Sequence, residues 1–105
     1  MDNLTALQIA ITNTFSKAVL LHDTIIIKFE ALIKAKNENE EELPTLSKVG
    51  DQLKELSAIY KDARDLLIAA EYLAGHDIFT IMNDFKITRS TVIKILKNKN
   101  IDIAK

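Results

Sequence analysis

A chain of 105 residues supports one ordinary domain with a hydrophobic core, and its 48% of hydrophobic residues is typical of a globular protein. Two glycines and one proline are too few for a loop-rich or all-β protein, whereas abundant Leu, Ile, Ala, Lys and Glu favour an all-α fold. The absence of cysteine excludes disulfides, thiolate metal sites and thiol nucleophiles. The net charge of −1, taken as a sum, does not favour nucleic-acid binding.

The charge is divided unevenly along the chain. Residues 1–75 carry 8 Lys/Arg and 12 Asp/Glu, net −4, while residues 76–105 carry 6 Lys/Arg and 3 Asp/Glu, net +3. Phosphate attraction depends on the charge within about 8–10 Å, so this local excess matters more than the sum. The C-terminal part therefore suits a nucleic acid; a solvated, Lys-rich terminal helix is the alternative.

The N-terminal sequence MDNLTALQIA contains no basic segment followed by an apolar core, so we expect no signal peptide. The longest apolar run, residues 18–27, is interrupted by His22 and Asp23 and is too short to span a bilayer. We therefore expect a soluble, cytoplasmic protein without a membrane partner.

The first predicted helix covers residues 3–36, where apolar side chains recur three or four positions apart. Thr14 and Lys28 occupy positions of this apolar stripe and make it imperfect. The β-branched residues 24–27 suggest a local break or a short strand, but the periodicity continues through them and predicts one helix. The stripe consists of Leu4, Leu7, Ile11, Phe15, Ala18, Leu21, Ile25, Phe29, Leu32 and Ile33.

The acidic segment KNENEEE, residues 36–42, is interpreted as a solvated connection that ends at Pro44, because proline cannot continue a helix. A second helix is predicted from Thr45 or Ser47 to Gly75, since glycine commonly follows a helix C-terminus. Its apolar residues alternate three and four positions apart, as in a coiled coil. They are Leu46, Val49, Leu53, Leu56, Tyr60, Ala63, Leu67, Ala70 and Ala74.

The two long helices are predicted to form an antiparallel hairpin. A hairpin cannot bury the whole apolar surface of both helices, so the remainder needs the C-terminal helices, a second subunit, or both. We accordingly divide the chain into residues 1–62, a helical hairpin that serves dimerisation, and residues 63–105, a DNA-binding region that shares the second helix. The surplus apolar residues include Ile26, Ile27, Ile59, Ile68 and Leu73.

Two short amphipathic helices are predicted after Gly75. His76 or Asp77 would cap the first, residues 78–84, and Thr88 would cap the second, residues 89–99. Two short helices with a shared apolar side and a cationic outer side are typical of a helix-turn-helix that reads DNA. The tail, residues 101–105, has three open interpretations: it packs back on the domain, it forms an extended arm, or it frays.

Residues 81–96, IMNDFKITRSTVIKIL, resemble the helix-turn-helix of the resolvase/invertase recombinases and related small transcription regulators. The family pattern is roughly I-A-x-x-[FL]-G-[IV]-S-R-S-T-V-x-[RK]-x-L, and residues 87–92 with Lys94 and Leu96 match it closely. The resemblance covers residues 63–99 and leaves no room for the recombinase catalytic domain. The chain departs from the pattern at Lys86, where glycine is usual, and at Met82, where alanine is usual. We expect a positive φ angle at Lys86 and a slightly wider spacing of the two helices at Met82.

The resemblance implies that the start of the last helix enters the major groove, where Arg89, Ser90 and Ile93 face the bases. An arginine suits the guanine O6/N7 edge, and an apolar side chain such as Ile93 suits a thymine methyl group. The remaining residues of the predicted site would hold phosphates and set the orientation of the helix. They are Thr88, Thr91, Lys94 and Lys97.

We expect no enzymatic activity, cofactor or metal, because His22 and His76 lack zinc-ligand spacing and no glycine-rich phosphate loop is present. A single helix-turn-helix reads one half-site, so a homodimer formed by the N-terminal helices is expected. The sequence thus predicts a sequence-specific double-stranded DNA-binding protein in the role of a small transcription regulator. The alternatives are a helical protein–protein interaction module and a DNA packaging or replication accessory protein.

Overall fold

The computed structural model describes residues 3–103, in which every regular element is an α-helix. Helix α1 spans Asn3–Asn37, α2 spans Val49–Leu73, α3 spans Ile78–Phe85 and α4 spans Arg89–Asn98. The predicted all-α class is therefore confirmed. None of the helices between residues 3 and 103 contains an apolar stretch that could traverse a bilayer.

Helices α1 and α2 pack side by side and run in opposite directions. The Nζ atom of Lys28, late in α1, donates to the Ser47 carbonyl at 2.6 Å and to Gln52 Oε1 at 3.0 Å, both near the start of α2. Near the middle of both helices, Tyr60 Oη lies 2.5 Å from His22 Nε2. Lys28 can therefore occupy an otherwise apolar seam, because its ammonium group has two oxygen acceptors.

The side of α1 that faces α2 keeps a seven-residue repeat over the length of the helix. Its polar interruption at Thr14 is buried, and the hydroxyl donates to the Ala10 carbonyl at 2.8 Å, so it needs no partner in α2. The chain stays helical through residues 24–27, as the periodicity predicts. The facing residues are Leu7, Ile11, Thr14, Ala18, Leu21, Ile25, Lys28, Leu32 and Ala35.

The predicted seam of α2 is wrong at every second position. Leu53, Tyr60 and Leu67 are 54%, 42% and 37% exposed. Their places against α1 are taken by residues one position earlier, Gln52, Ile59 and Leu66, which are buried or half-buried. The positions three and four residues after a seam residue lie on two neighbouring flanks of the helix. Helix α1 packs over the flank formed by the positions three residues on, so the positions four residues on stay exposed. Helix α2 also begins later than Thr45 or Ser47, because Lys48 has a left-handed backbone with φ of 64°.

The main hydrophobic core lies at the C-terminal end of α2, where α3 and α4 pack against it and against each other. The tail packs back on this core through Ile101 and Ile103, which selects one of the three interpretations of residues 101–105; residues 104 and 105 lie outside the described part. Among the described helices, α1 packs against α2 alone. The buried core residues are Ile68, Ile78, Ile81, Val92, Ile95 and Leu96.

The turn between α2 and α3 contains the glycine and the helix cap that the sequence predicts. Gly75 follows the end of α2 with φ of 112°, a conformation that glycine adopts without steric cost. Asp77, rather than His76, caps α3: its carboxylate accepts a hydrogen bond from the Thr80 amide at 2.8 Å. That bond lowers the pKa of Asp77 from its usual value, since it stabilises the carboxylate form.

The turn between α3 and α4 places a lysine where the resembled family has glycine. Lys86 adopts the expected positive φ, 55°, and the Ile87 amide donates to the Met82 carbonyl at 3.2 Å. Thr88 caps α4, because its hydroxyl accepts from the Thr91 amide at 3.3 Å. The turn therefore carries backbone strain at Lys86, and the sequence compensates with a capped helix directly after it.

The molecule is elongated, with dimensions of 65 × 30 × 19 Å and a radius of gyration of 19.2 Å. A compact chain of this size would have a radius of about 13 Å. The difference comes from the two long helices, which extend beyond the C-terminal core and cover one another on one side only. Much of their apolar surface consequently stays exposed.

We expect Lys86→Gly to raise the free energy of unfolding by about 0.5–1 kcal/mol, because glycine removes the Cβ clash of the left-handed conformation at a smaller entropic cost. Urea unfolding followed by circular dichroism measures the change. The matched control is Lys94→Gly inside α4, which should lower stability by about 1 kcal/mol. A loss of stability in Lys86→Gly would contradict the strain assigned to this turn.

Candidate nucleic-acid interface

The outer side of α4 combines small hydroxyl and cationic side chains. Ser90, Lys94 and Lys97 are exposed and lie four and three positions apart, so they project from one side of the helix. Val92 and Leu96, which are fully buried, point the opposite way into the core. The core thus determines which side of α4 is free to meet a partner.

Three cations of this surface have no ionic partner in the described part of the chain. Among residues 3–103, neither Arg89 nor Lys94 nor Lys97 forms an ion pair within 4.0 Å. Lys99, at the end of the helix, differs because its Nζ lies 3.6 Å from Asp62 Oδ1 and ties α4 to α2. The three unpaired cations are available to an external anion, and Lys99 fixes the helix that carries them.

Three hydroxyl groups meet at the first turn of α4. Thr88 Oγ1 lies 3.2 Å from Ser90 Oγ and 2.9 Å from Thr91 Oγ1, while it also caps the Thr91 amide. The unpaired amides and the dipole of a helix N-terminus favour a negative charge there. Together with the exposed Arg89 side chain, this turn forms a cationic and hydrogen-bonding end.

The side chain of Ile93 is less available than its neighbours. It is half-buried and packs against the C-terminal core, and it lines a shallow cleft together with Lys97, Ile101 and Ile103. The tail therefore covers part of the apolar surface that the sequence assigns to a thymine methyl group. Six of the seven predicted site residues are on the outer side or first turn of α4, and Ile93 lies at its edge.

Two residues beside Arg89 are not identified by the sequence. Phe79, 68% exposed, and Asp102 line one surface cleft together with Arg89. A helical projection of residues 78–85 places Phe79 outside the buried side of α3. The sequence therefore contains a signal that could have identified this exposed apolar residue. Asp102 has no such signal, because only the folding back of the tail brings it near α4.

A pair of carboxyl groups joins the end of α2 to the end of α3. The pKa of Glu71 is raised above its ordinary value of 4.5, first because its protonated form can donate a hydrogen bond to Asp84, then by burial and by the charge of Asp84; His76 acts in the opposite direction. Such a bond needs a proton on one carboxyl group, so the two acids repel each other when both are ionised. We therefore expect the packing of α3 on α2 to depend on pH.

Comparison with known proteins finds no matching family model, curated protein or solved structure. The likeness of residues 81–96 to the resolvase/invertase helix-turn-helix consequently rests on those residues themselves. Any function has to be inferred from the geometry and charge of α4 and of the helices around it.

We expect Glu71→Gln to raise the melting temperature at pH 7, because an amide donates a hydrogen bond to Asp84 without an added proton. The raised pKa means that the contribution of Glu71 to stability is present below pH 4.5 and is lost as pH rises through the folded-state pKa. The gain in the variant should therefore grow between pH 4 and pH 7, as measured by thermal unfolding. The exposed Glu55→Gln in α2 is the control, and a gain that does not depend on pH would contradict this assignment.

Proposed function

We propose that this chain is a sequence-specific double-stranded DNA-binding protein that works as a small homodimeric transcription regulator. In this proposal the last turns of α2 together with α3 and α4 form a helix-turn-helix, α4 is the recognition helix, and α1 with α2 forms the hairpin that carries it. The observation that carries the proposal is the set of three cations on α4, Arg89, Lys94 and Lys97, that form no ion pair with any residue between 3 and 103. Lys94 and Lys97 lie on the side of α4 opposite the buried core.

The dimensions of α4 fit a DNA groove. A helix of 10 residues is about 15 Å long, and the major groove of B-DNA, about 12 Å wide, admits one α-helix. Arg89 and Ser90 at the first turn would approach base edges, and Ile93 would offer its exposed edge to a thymine methyl group. The residues assigned to phosphates are Thr88, Thr91, Lys94 and Lys97.

The division of charge supports the same orientation. The net charge of +3 in residues 76–105 belongs to the part that includes α3, α4 and the tail, and the net charge of −4 in residues 1–75 belongs mostly to the hairpin. DNA attracts the first and repels the second, so the hairpin points away from the duplex. One helix-turn-helix reads only one half-site, and a homodimer supplies the second, about 34–36 Å away.

A second candidate function is a helical protein–protein interaction module. It is favoured by the exposed apolar side chains of α1, among them Leu20 at 69% and Ile27 at 66% exposed. In that case α3 and α4 only cap the end of the hairpin. A DNA packaging or replication accessory protein would bind DNA through the same α4 surface. It would differ from a regulator only in that its binding does not control transcription.

DNA binding is tested by selecting ligands from a random-sequence duplex pool and measuring their affinity by fluorescence anisotropy between 50 and 200 mM salt. We expect Arg89→Ala/Lys94→Ala to weaken binding about 100-fold and to reduce the salt slope by about 1, because one base contact and one phosphate contact are lost. The control Lys17→Ala/Lys36→Ala removes two exposed cations from α1 and should retain affinity. Absence of binding at 50 mM salt contradicts the function, and retained binding in the α4 variant contradicts the assigned surface.

A further inference from the structure

Helix α1 carries a second seam beside the one that contacts α2. Its residues follow each other at intervals of four, three, four, three and four positions, the same heptad spacing as the buried seam. A helical projection at about 100° per residue places this second seam about 100° around the helix from the first. No Lys, Arg, Asp or Glu lies on it. The second seam consists of Phe15, Val19, His22, Ile26, Phe29 and Ile33.

Helix α2 extends this surface on the same side of the hairpin. His22 of the second seam contacts Tyr60, with ring centroids 5.9 Å apart. Leu53 and Leu67 lie seven positions before and after Tyr60, on the stripe that α1 leaves uncovered. The antiparallel register that pairs His22 with Tyr60 puts Phe15 at the level of Leu67 and Phe29 at the level of Leu53. We call the second seam together with Leu53, Tyr60 and Leu67 the open face.

The open face has the area of a dimer interface. Its eight large apolar or aromatic side chains are between 37% and 54% exposed. With about 200 Å² for each fully exposed side chain, they present roughly 700 Å² to solvent. A stable interface of standard size buries about 800 Å² on each partner. This side of the hairpin thus holds enough apolar surface for one partner.

We propose that a second copy of this chain covers the open face, so that two hairpins form a four-helix bundle. A helix in such a bundle contacts two neighbours that lie about 90° apart around it, which matches the two seams of α1. The occupant is a second copy because the face is self-complementary. When the two-fold axis is parallel to the helices, α1 of each copy lies against α2 of the other. The rotation does not shift residues along the axis, so α1 and α2 keep the register that they have within one chain.

That arrangement places two large side chains opposite small ones, while Val19 lies level with Arg64, whose guanidinium is paired with Asp65 at 2.9 Å. Ile33 of one copy lies level with Gly50 of the other, and Ile26 lies level with Ser57. A Cβ atom added to Gly50 would meet nothing within 4 Å in the single chain, so internal packing gives no reason for a glycine there. A second copy supplies that reason, because Ile33 then occupies the open space. Phe15 and Phe29 meet the Leu67 and Leu53 side chains of the second copy.

The direction of the two-fold axis rests on the proposed function. An axis parallel to the helices brings both C-terminal units to the same end of the bundle, where two α4 helices can contact one duplex. An axis perpendicular to the helices would place the units at opposite ends. The parallel axis also brings the two α1–α2 loops together at the other end, away from DNA.

The interface is tested with two adjacent isoleucines that differ in position around α1. Ile26 is on the open face, whereas Ile27, which is more exposed at 66%, is outside it. Light scattering should give the parent chain a mass of twice 11.8 kDa. Ile26→Glu should raise the dimer dissociation constant at least 100-fold with the helical circular dichroism retained, and Ile27→Glu should remain dimeric. A monomeric parent chain, a larger assembly, or a dimeric Ile26→Glu variant would overturn the proposal.

The axis is tested by the distance between two nitroxide labels in a Glu41→Cys dimer, since the chain has no other cysteine. Labels on adjacent loops of a bundle with 8–10 Å between helix axes should lie about 20–30 Å apart. Loops at opposite ends of the bundle would be about 50 Å apart and would overturn the parallel axis. A dimer with adjacent loops that binds no duplex would leave the interface standing and would contradict the DNA-binding function alone.

Discussion

The arrangement of the molecule depends on α2, because this one helix contributes to two cores. Ala63 and Leu66 pack in the seam with α1, while Ile68, two positions later, is fully buried against α3 and α4. The two sets of contacts occupy different sides of the same turns, so no flexible connection separates the hairpin from the C-terminal unit. A rotation of the hairpin therefore also rotates α4.

Polar groups at critical positions are matched by nearby partners. Lys28 reaches the start of α2, where it binds the Ser47 carbonyl and the Gln52 amide oxygen, and so fixes the register of the two long helices. Lys99 performs a related role at the other end through Asp62. Both lysines are half-buried, but Lys28 has two oxygen acceptors at 2.6 and 3.0 Å, whereas Lys99 faces one carboxylate at 3.6 Å. The first therefore contributes more to the register, and the second mainly restrains α4.

Much of this architecture is encoded in local sequence signals. The bounds of the four helices and the Asp77 and Thr88 caps depend on nearest neighbours, and the sequence predicts them to within a few residues. The positive φ at Lys86 is expected from the glycine of the resembled family, since lysine itself does not signal it. The choice between Leu53 and Gln52 as a seam residue does not depend on nearest neighbours, because Leu53 is apolar and Gln52 becomes favourable only once Lys28 is beside it. The partial cover of Ile93 depends on the tail, which folds back from outside the helix-turn-helix pattern.

The two apolar stripes of α1 have a consequence for biosynthesis. Helix α1 ends at Asn37, and the segment that covers its first stripe is not complete until Leu73. At about 5–20 residues per second, a nascent chain spends a few seconds with both stripes uncovered. During that interval α1 exposes both apolar stripes, and apolar surface that is exposed during folding is prone to aggregation. The second stripe stays uncovered after α1 and α2 have packed together. The newly made monomer therefore still exposes apolar surface when all its helices have formed.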